Sequence, residues 1–259
     1  MVSPTRRSDR LLAVAEEGGN GTFEGARRGR SVTAGIELVI VEDPSDVAAA
    51  VADRLAQAAR AGGHVALTGG TTPELAYEEA AQREPDWSKT EIWWSDERCV
   101  PPDDDLSNYA LAKRTLLDRL ERDPRAVHRI KGELGKEGAA DDYERELGDT
   151  VFDLELLGLG RDGHVASLFP NAPTLRERRR VLPAEAGLEP FVDRVTLSIP
   201  ALNSAKAIVF AVSGADKAEA VRRAFASEPS PEIPATLVRS RSGRTTAILD
   251  RAAAAKLRA

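Results

Sequence analysis

Residues that could perform chemistry are concentrated in the segment Gly158 to Pro170, which reads GLGRDGHVASLFP. Three glycines, an Asp and a His stand within seven residues, directly after the largely apolar run 151–157. Backbone freedom and titratable side chains therefore coincide at the end of a predicted strand, where open α/β sheets bind their ligands. The chemistry that this segment could perform depends on His164.

Two phosphate-binding motifs resemble this segment, and its context excludes both. The three glycines match the GxGxxG spacing of dinucleotide-binding loops, but that motif opens a long helix inside a βαβ unit. Here Pro170 and the following Asn-Ala-Pro end any helix after about two turns. A P-loop is excluded because His164 and Val165 occupy the positions that need Lys and Ser/Thr. The segment predicts a histidine held on a glycine-rich turn, with no cofactor.

The surroundings of His164 favour a general base. Gly163 can adopt a positive φ beside Asp162, and we predict that His164 follows at the head of a short helix. The positive end of that helix would favour the neutral imidazole, which can accept a proton. A buried structural histidine is the alternative. Ser167 lacks the GxSxG context, so serine hydrolase chemistry is not predicted.

The elements that must position these residues alternate between strand and helix signals from Ile36 onwards. This alternation predicts one α/β domain over 36–259, with a mostly parallel sheet that carries helices on both faces. Parallel strands deliver their following loops to one edge, so three more loops are expected beside GRDGH. They are TGGTTP at 68–73, SDER at 95–98 and SGADKAE at 213–219. Residues 1–35 lack periodicity and are predicted to form a flexible N-terminal extension.

The loop TGGTTP is a candidate anion cradle. Exposed amides at Gly69 and Gly70 and the start of the next helix favour a phosphate, and Thr71 and Thr72 add hydroxyl donors. The same residues could simply form a tight turn, with Thr71 or Thr72 as the helix cap and a capping box from Thr71 to Glu74.

Charged side chains in the other two loops could complete the site. Lys217 lies near a predicted helix start, where a cation is unfavourable unless an anion offsets it. Arg98 could bind phosphate or carboxylate bidentately, and Asp96 could orient a histidine or a water. A solvated lysine and a salt-bridged strand end are the alternatives. Cys99 is predicted to be an inert thiol.

Composition narrows the class of partner. The 36 Lys and Arg against 42 Asp and Glu give a net charge of −6, so no basic field favours nucleic acid. No apolar run approaches the roughly 20 residues that span a bilayer, so no membrane partner is expected. The single Cys99 excludes an intramolecular disulfide and suits the cytoplasm. The histidines lie far apart and predict no metal site. The oligomeric state is left open, with a monomer favoured.

Four ordered motifs resemble the glucosamine-6-phosphate isomerase/deaminase superfamily and, within it, the 6-phosphogluconolactonase family. The motifs are TGGTTP, WWSDER with the downstream Ser107-Asn108-Tyr109, GLGRDGHVASLFP and SGADKA. The resemblance implies a Rossmann-like three-layer fold, as in the glucosamine-6-phosphate deaminase/ribose-5-phosphate isomerase-like proteins. It also implies hydrolysis of 6-phospho-D-glucono-1,5-lactone to 6-phospho-D-gluconate, the second step of the oxidative pentose phosphate pathway. One departure is Ala247, where the family often has Trp.

The resemblance also implies roles for individual residues. His164 would be the general base on water, with Asp162 or Asp96 holding the loop and the imidazole. A grip on the 6-phosphate is implied for a larger set: Gly69, Gly70, Thr71, Thr72, Arg98 and Lys217. A lactone is an activated ester, so neither a metal nor a covalent nucleophile is implied.

The segment SLFP after the histidine decides between members of the superfamily. Related deaminases carry a glutamate there, and this chain carries Ser167-Leu168-Phe169-Pro170. Lactone hydrolysis is therefore favoured over an amino-sugar phosphate deaminase or isomerase. A non-catalytic sugar-phosphate-binding protein is the second alternative.

Overall fold

Two β-sheets organise the computed structural model, which describes residues 29–33, 35–187 and 189–257. The strands of this described part are β1 Gly29–Thr33, β2 Ile36–Val41, β3 Gly63–Leu67, β4 Thr90–Trp94, β5 Asp96–Arg98, β6 Ala126–Val127, β7 Leu154–Leu157, β8 Val181–Ala184, β9 Arg194–Leu197, β10 Ala207–Val212 and β11 Arg244–Asp250. Eight of them form the main sheet in the order β1-β2-β11-β10-β7-β3-β4-β6, and β5-β9-β8 form a smaller one. All neighbours in the main sheet are parallel except β1 and β2.

Helices connect strands along the chain, and the last described helix follows β11. They are α1 Pro44–Ala61, α2 Thr71–Arg83, α3 Asn108–Thr115, α4 Gly135–Leu147, α5 Ile199–Leu202, α6 Ala218–Phe225 and α7 Arg251–Ala254. The chain crosses the sheet in one direction from β2 to β6 and returns from β6 to β11. Because parallel crossovers are right-handed, α1 to α3 lie on one face and α4 and α6 on the other. The predicted α/β class with a mostly parallel sheet is confirmed.

The reversal of direction determines where a crevice opens. β3 continues through α2 to β4 on one side, whereas its neighbour β7 continues to β10 on the other side. At such a switch point the following loops separate towards opposite faces and leave a crevice beyond the carboxyl ends of the strands. The loops that follow β3 and β7 are TGGTTP and GLGRDGH, so the fold brings together two of the segments that the sequence singled out.

The predicted alternation of strand and helix from Ile36 onwards matches the structure at its start. β2 begins at Ile36, and α1 follows at Pro44. Its cap is Asp43, whose carboxylate accepts hydrogen bonds from the amides of Ser45 at 2.9 Å and Asp46 at 3.1 Å. A buried apolar run or an Asp or Asn helix cap is a local signal, and such signals can be recognised from the sequence alone.

Three local predictions are wrong. The cap of α2 is Gly70, with no side-chain hydrogen bond, so neither Thr71 nor Thr72 caps the helix. None of the described residues 158–170 is helical: Ala166 has a φ of 48°, which interrupts a helical path directly after His164. The predicted loop SDER contains β5, which pairs antiparallel with β9, and β9 belongs to the small sheet.

The N-terminal boundary also differs from the expectation. β1 lies inside the predicted flexible extension and pairs with β2 from Gly29 opposite Ile40 to Thr33 opposite Ile36. The first described strand therefore begins seven residues before residue 36. Gly35, with a φ of 74°, supplies a backbone conformation that only glycine adopts readily between the two strands. Residues 1–28 of the predicted extension lie outside the described residues.

Candidate active site

A cavity of about 370 Å³ lies beyond the carboxyl ends of β3, β7 and β10. Its walls come from the loop after β3, the loop after β7, the end of β10 and the small sheet. The residues that line it include Thr71, Thr72, Asp96, Arg98, Asn108, Arg161, His164, Arg194, Ser213 and Lys217, together with Gly69, Gly70 and Gly160. All predicted site residues except Asp162 line this single cavity.

His164 is fixed by Asp162 through one ring nitrogen. Nδ1 of His164 lies 2.6 Å from Oδ1 of Asp162, and the same oxygen accepts the His164 amide at 3.1 Å. Nε2 has no hydrogen-bond partner among the described residues, and the ring lines the cavity. Burial raises the pKa of Asp162, but the hydrogen bonds from His164 outweigh burial and hold that pKa below its ordinary value. The pair therefore presents an oriented imidazole beside an ionised carboxylate.

Gly160 makes room for this pair. A Cβ atom at this position would lie 2.0 Å from Nδ1 of His164 and 2.6 Å from Oδ1 of Asp162. The Gly160 amide also donates to the carbonyl of His164 at 2.9 Å, which closes the loop over the pair. A glycine of the apparent cofactor motif is thus required by the close approach of the imidazole.

Asp96 holds the loop after His164 and does not contact the imidazole. Its Oδ2 accepts from Ser167 Oγ at 2.7 Å, and its Oδ1 accepts from Asn108 Nδ2 at 3.2 Å. Asp96 is 5% exposed. Of the two aspartates offered as partners of His164, Asp162 makes the contact, and Asp96 anchors the segment three residues further along the chain.

The loop after β3 has the geometry of an anion cradle. Gly70 has a φ of 113° and precedes α2 without a side-chain cap. The first N–H groups of α2 are therefore not capped by a side chain and can donate to an anion. Gly69 packs against Asn108, whose Oδ1 a Cβ atom would approach to 1.9 Å. The Thr72 and Ser213 hydroxyls are hydrogen-bonded at 2.7 Å, which joins the loops after β3 and β10.

Four cationic side chains line the cavity. Lys217 donates to the Leu159 carbonyl at 2.9 Å; burial lowers its pKa, with Asp216 opposing burial and Arg161 reinforcing it. Arg161 pairs with Asp216 at 2.6 Å. The four cationic side chains line a cavity that also contains the start of α2. This combination makes the cavity suited to an anion.

The other two cations face each other across the small sheet. Arg98 on β5 is the direct partner of Arg194 on β9. Like charges at opposed positions destabilise a sheet unless an anion lies between them. Burial lowers the pKa of Arg194, and the neighbouring Arg98 lowers it further. Nε of Arg98 is buried with no partner in the described part of the chain.

Sequence reasoning missed Arg161, Arg194 and Ser213 as site residues. Arg161 and Ser213 belong to loops that had been singled out, so their position was a usable signal. Arg194 lies outside the motifs that the sequence singled out, and nothing local connects it with Arg98, which lies 96 residues earlier.

Cys99 lies beside this site and is the neighbour of Arg98 in the chain. Burial raises the pKa of its thiol to about 11, so the thiol is protonated at neutral pH. Within the described ranges, no three His, Cys, Asp or Glu side chains are grouped to hold a metal ion. Every helix in that part of the chain is too short or too polar to cross a membrane.

Comparison with known proteins agrees with this arrangement. The family described as glucosamine-6-phosphate isomerases/6-phosphogluconolactonase matches residues 42–247. The chain belongs to this family. Among its members, the 6-phosphogluconolactonase of Homo sapiens is 36% identical over 237 residues, covering 84% of this chain and 92% of the human protein. The 6-phosphogluconolactonase of Streptomyces coelicolor is 36% identical over 247 residues, covering 85% and 94%.

Solved structures of the family share the fold. The crystal structure of 6-phosphogluconolactonase from Thermotoga maritima matches with a TM-score of 0.74 and 30% identity, covering 82% of this chain and 98% of that one. A monomeric glucosamine-6-phosphate deaminase matches with a TM-score of 0.73 and 23% identity, covering 85% and 99%. The second likeness shows the fold alone, so the chemistry must be argued from the site.

Proposed function

We propose that the protein hydrolyses 6-phospho-D-glucono-1,5-lactone to 6-phospho-D-gluconate. The observation that carries this proposal is the His164 imidazole in a cavity lined by four cations. Asp162 holds its Nδ1, and its Nε2 has no partner among the described residues. A general base and an anion-binding wall in one cavity suit a substrate that has both a hydrolysable carbonyl and a phosphate. The relatives named 6-phosphogluconolactonase support the same reaction.

The reaction follows from the orientation of His164. Nε2 removes a proton from water as the water oxygen forms a bond to the lactone carbonyl carbon. The bond from that carbon to the ring oxygen then breaks, and the imidazolium returns its proton to the departing oxygen, which becomes a hydroxyl. Asp162 stabilises the imidazolium between these steps. The new carboxylic acid releases its proton to solvent.

The 6-phosphate would be held by the cations and the cradle. Arg98 has a buried Nε without a partner in the described part of the chain, and Lys217 lines the same cavity. Gly69, Gly70, Thr71 and Thr72 line it as well and would offer amide and hydroxyl donors. Holding the phosphate fixes the carbonyl relative to His164, which removes much of the entropic barrier to attack. The substrate partner is thus a small sugar-phosphate lactone.

The deaminase alternative is not favoured by the site. The segment after the histidine offers Ser167, whose hydroxyl is hydrogen-bonded to the Asp96 carboxylate at 2.7 Å, and it offers no carboxylate. We place the reaction in the cytoplasm, in line with a single cysteine. A monomer remains a prediction.

The decisive test is hydrolysis of freshly generated lactone, corrected for spontaneous ring opening. We expect His164→Ala to lower kcat about 10²- to 10⁴-fold, the usual contribution of a general base. An unchanged enzymatic rate in this variant would remove His164 from the mechanism. Release of ammonia from glucosamine 6-phosphate, with no lactone hydrolysis, would replace the proposal by the deaminase.

The phosphate assignment has its own test. Arg98→Ala and Lys217→Ala should raise KM about tenfold or more for the phosphorylated lactone, because each removes a charge-assisted contact. The unphosphorylated lactone, which has no phosphate to lose, serves as the matched substrate. Equal losses with both substrates would contradict a phosphate role for these residues.

A further inference from the structure

Glu97 lies between two residues of the site and faces away from it. Side chains alternate along a strand, so Asp96 and Arg98 point to one face of β5 and Glu97 to the other. Asp96 and Arg98 line the cavity, whereas Glu97 does not and is 2% exposed. Any effect of Glu97 on the reaction must therefore act through its neighbours.

The Glu97 carboxylate accepts four hydrogen bonds. Its Oε1 accepts the amides of Arg98 at 2.7 Å and Asn108 at 2.8 Å, and its Oε2 accepts Ser107 Oγ at 3.0 Å and the Tyr109 amide at 2.8 Å. Burial raises the pKa of Glu97, and these four donors oppose that effect. A carboxylate beside the first amides of α3 is also favoured by the helix dipole.

These contacts hold the two ends of a loop together. The Arg98 amide stands before the segment 99–106 and the Asn108 amide after it, and one carboxylate oxygen joins both. Inside the closed loop, the Arg98 guanidinium donates to the Leu106 carbonyl. The position of this guanidinium in the cavity therefore depends on where the loop begins and ends.

The same anchor reaches Asp96 through Asn108. With its amide held by Glu97, Asn108 donates from Nδ2 to the Asp96 carbonyl at 2.9 Å and to Oδ1 of Asp96 at 3.2 Å. Asp96 in turn holds Ser167, three residues after His164, and Asn108 packs against Gly69 of the cradle. Displacement of the start of α3 would disturb the phosphate wall and the histidine loop together.

We propose that Glu97 is a positioning residue of the active site, which fixes Arg98 and Asp96 by joining the two ends of the segment 98–109. The inference rests on the proposed lactonase function. Glu97 touches neither the cavity nor the reacting atoms, so its influence is geometric. The kinetic consequence should exceed what a loss of fold stability alone produces.

Two variants of different severity test the proposal. Glu97→Ala removes both acceptor oxygens and with them all four hydrogen bonds, and it should lower kcat/KM about 100-fold, as a displacement near 1 Å does. Glu97→Gln keeps Oε1, and the Ser107 hydroxyl can rotate to accept from the new amide, so only the Tyr109 amide loses its acceptor. We expect a decrease of about three- to tenfold for this variant. Both should reduce the preference for phosphorylated over unphosphorylated lactone.

Asp43→Ala is the matched control. It removes the cap of α1, far along the chain from the site, and should lower the unfolding midpoint without changing kcat or KM. If the Glu97 variants lower the midpoint and leave kcat, KM and the phosphate preference at wild-type values, the proposal is overturned. Should Glu97→Ala fail to fold, Glu97→Gln decides alone by the same criterion.

The failure of the proposed function would look different. A wild-type protein without lactonase activity would reject that function, and calorimetry with inorganic phosphate would then test Glu97 separately. Weaker phosphate binding by Glu97→Gln and unchanged binding by Asp43→Ala would support the positioning role. Equal phosphate binding by all three proteins would overturn it.

Discussion

Two histidines of this chain occupy opposite kinds of environment. Nδ1 of His164 is 2.6 Å from Asp162, and its Nε2 has no partner among the described residues. Nδ1 of His128 is 2.7 Å from Glu146 and its Nε2 is 3.0 Å from Glu91, so both nitrogens of His128 are occupied. Only a histidine with a free nitrogen can exchange a proton with a substrate.

Packing reinforces the difference. The His128 ring stacks on Trp93 with ring centroids 3.8 Å apart and an interplanar angle of 13°. The His164 ring lines the cavity and meets Phe169 at a tilt of 46°. The His128 imidazole, next to β6, links β4 and α4 through its two ring nitrogens. The His164 imidazole is hydrogen-bonded through Nδ1 only, among the described residues. Function therefore depends on which hydrogen-bonding positions the fold leaves unfilled.

A large effect should follow from displacing His164 without changing it. In Gly160→Ala the methyl group would lie 2.0 Å from Nδ1 of His164 and 2.6 Å from Oδ1 of Asp162, so these side chains must move. We expect kcat to fall about 100-fold, because a misplaced base loses its alignment with water. Lactone hydrolysis at saturating substrate, with circular dichroism as a check on folding, measures this.

Gly138→Ala is the matched control for this substitution. Gly138 lies within α4, and a Cβ atom there would meet only Leu134 Cβ at 3.5 Å, an ordinary contact. Alanine in a helix interior should stabilise the protein by about 0.5–1 kcal/mol and leave kcat unchanged. Similar kinetics for the two glycine variants would show that the spacing around His164 does not matter.

The sequence predicted the site better where its signals were local. The loops after β3, β7 and β10 each follow an apolar strand, and the parallel sheet brings them together as expected. The partner of His164 remained open between Asp162 and Asp96, because this choice depends on a side-chain contact. The helix predicted after His164 was wrong because Ala166 takes a positive φ, which no residue-type signal indicates.

The small sheet could not be predicted for a different reason. β5 has three residues, all charged, and pairs with β9 about a hundred positions later. Short charged strands carry no apolar periodicity, and pairing over such a separation leaves no local trace. Arg194 was missed as a site residue for the same reason, although it stands directly opposite Arg98.

Two buried carboxyl groups show the same contrast between hydrogen-bonding atoms with a partner and atoms without one. Glu97 accepts four hydrogen bonds, whereas neither side-chain oxygen of Glu155 on β7 has a partner in the described part of the chain. Burial raises the pKa of Glu155 well above its ordinary value, and Asp96 raises it further. Burial therefore favours the protonated, neutral form of Glu155 in the folded protein.

The pH dependence of unfolding tests this assignment. Above the ordinary glutamate pKa, the unfolded chain releases the Glu155 proton while the folded chain retains it, so stability falls as pH rises. The slope is about 1.4 kcal/mol per pH unit for one proton. Glu155→Gln cannot ionise, so it should match the wild type near pH 4.5 and become progressively more stable than it towards pH 8. Denaturant unfolding at several pH values measures the difference; parallel curves would contradict a raised pKa.

The smallest effect on catalysis is expected at His128. A glutamine there can keep one of the two contacts, to Glu146 or to Glu91, and loses the stacking on Trp93. We expect His128→Gln to lower the free energy of unfolding by about 1.5–3 kcal/mol, the range for one hydrogen bond to a charged group. Its kcat and KM should equal those of the wild type, because the cavity lining does not include His128. A loss of kcat in a folded His128→Gln protein would break the distinction between the two histidines, since a fully partnered imidazole would then contribute to the reaction.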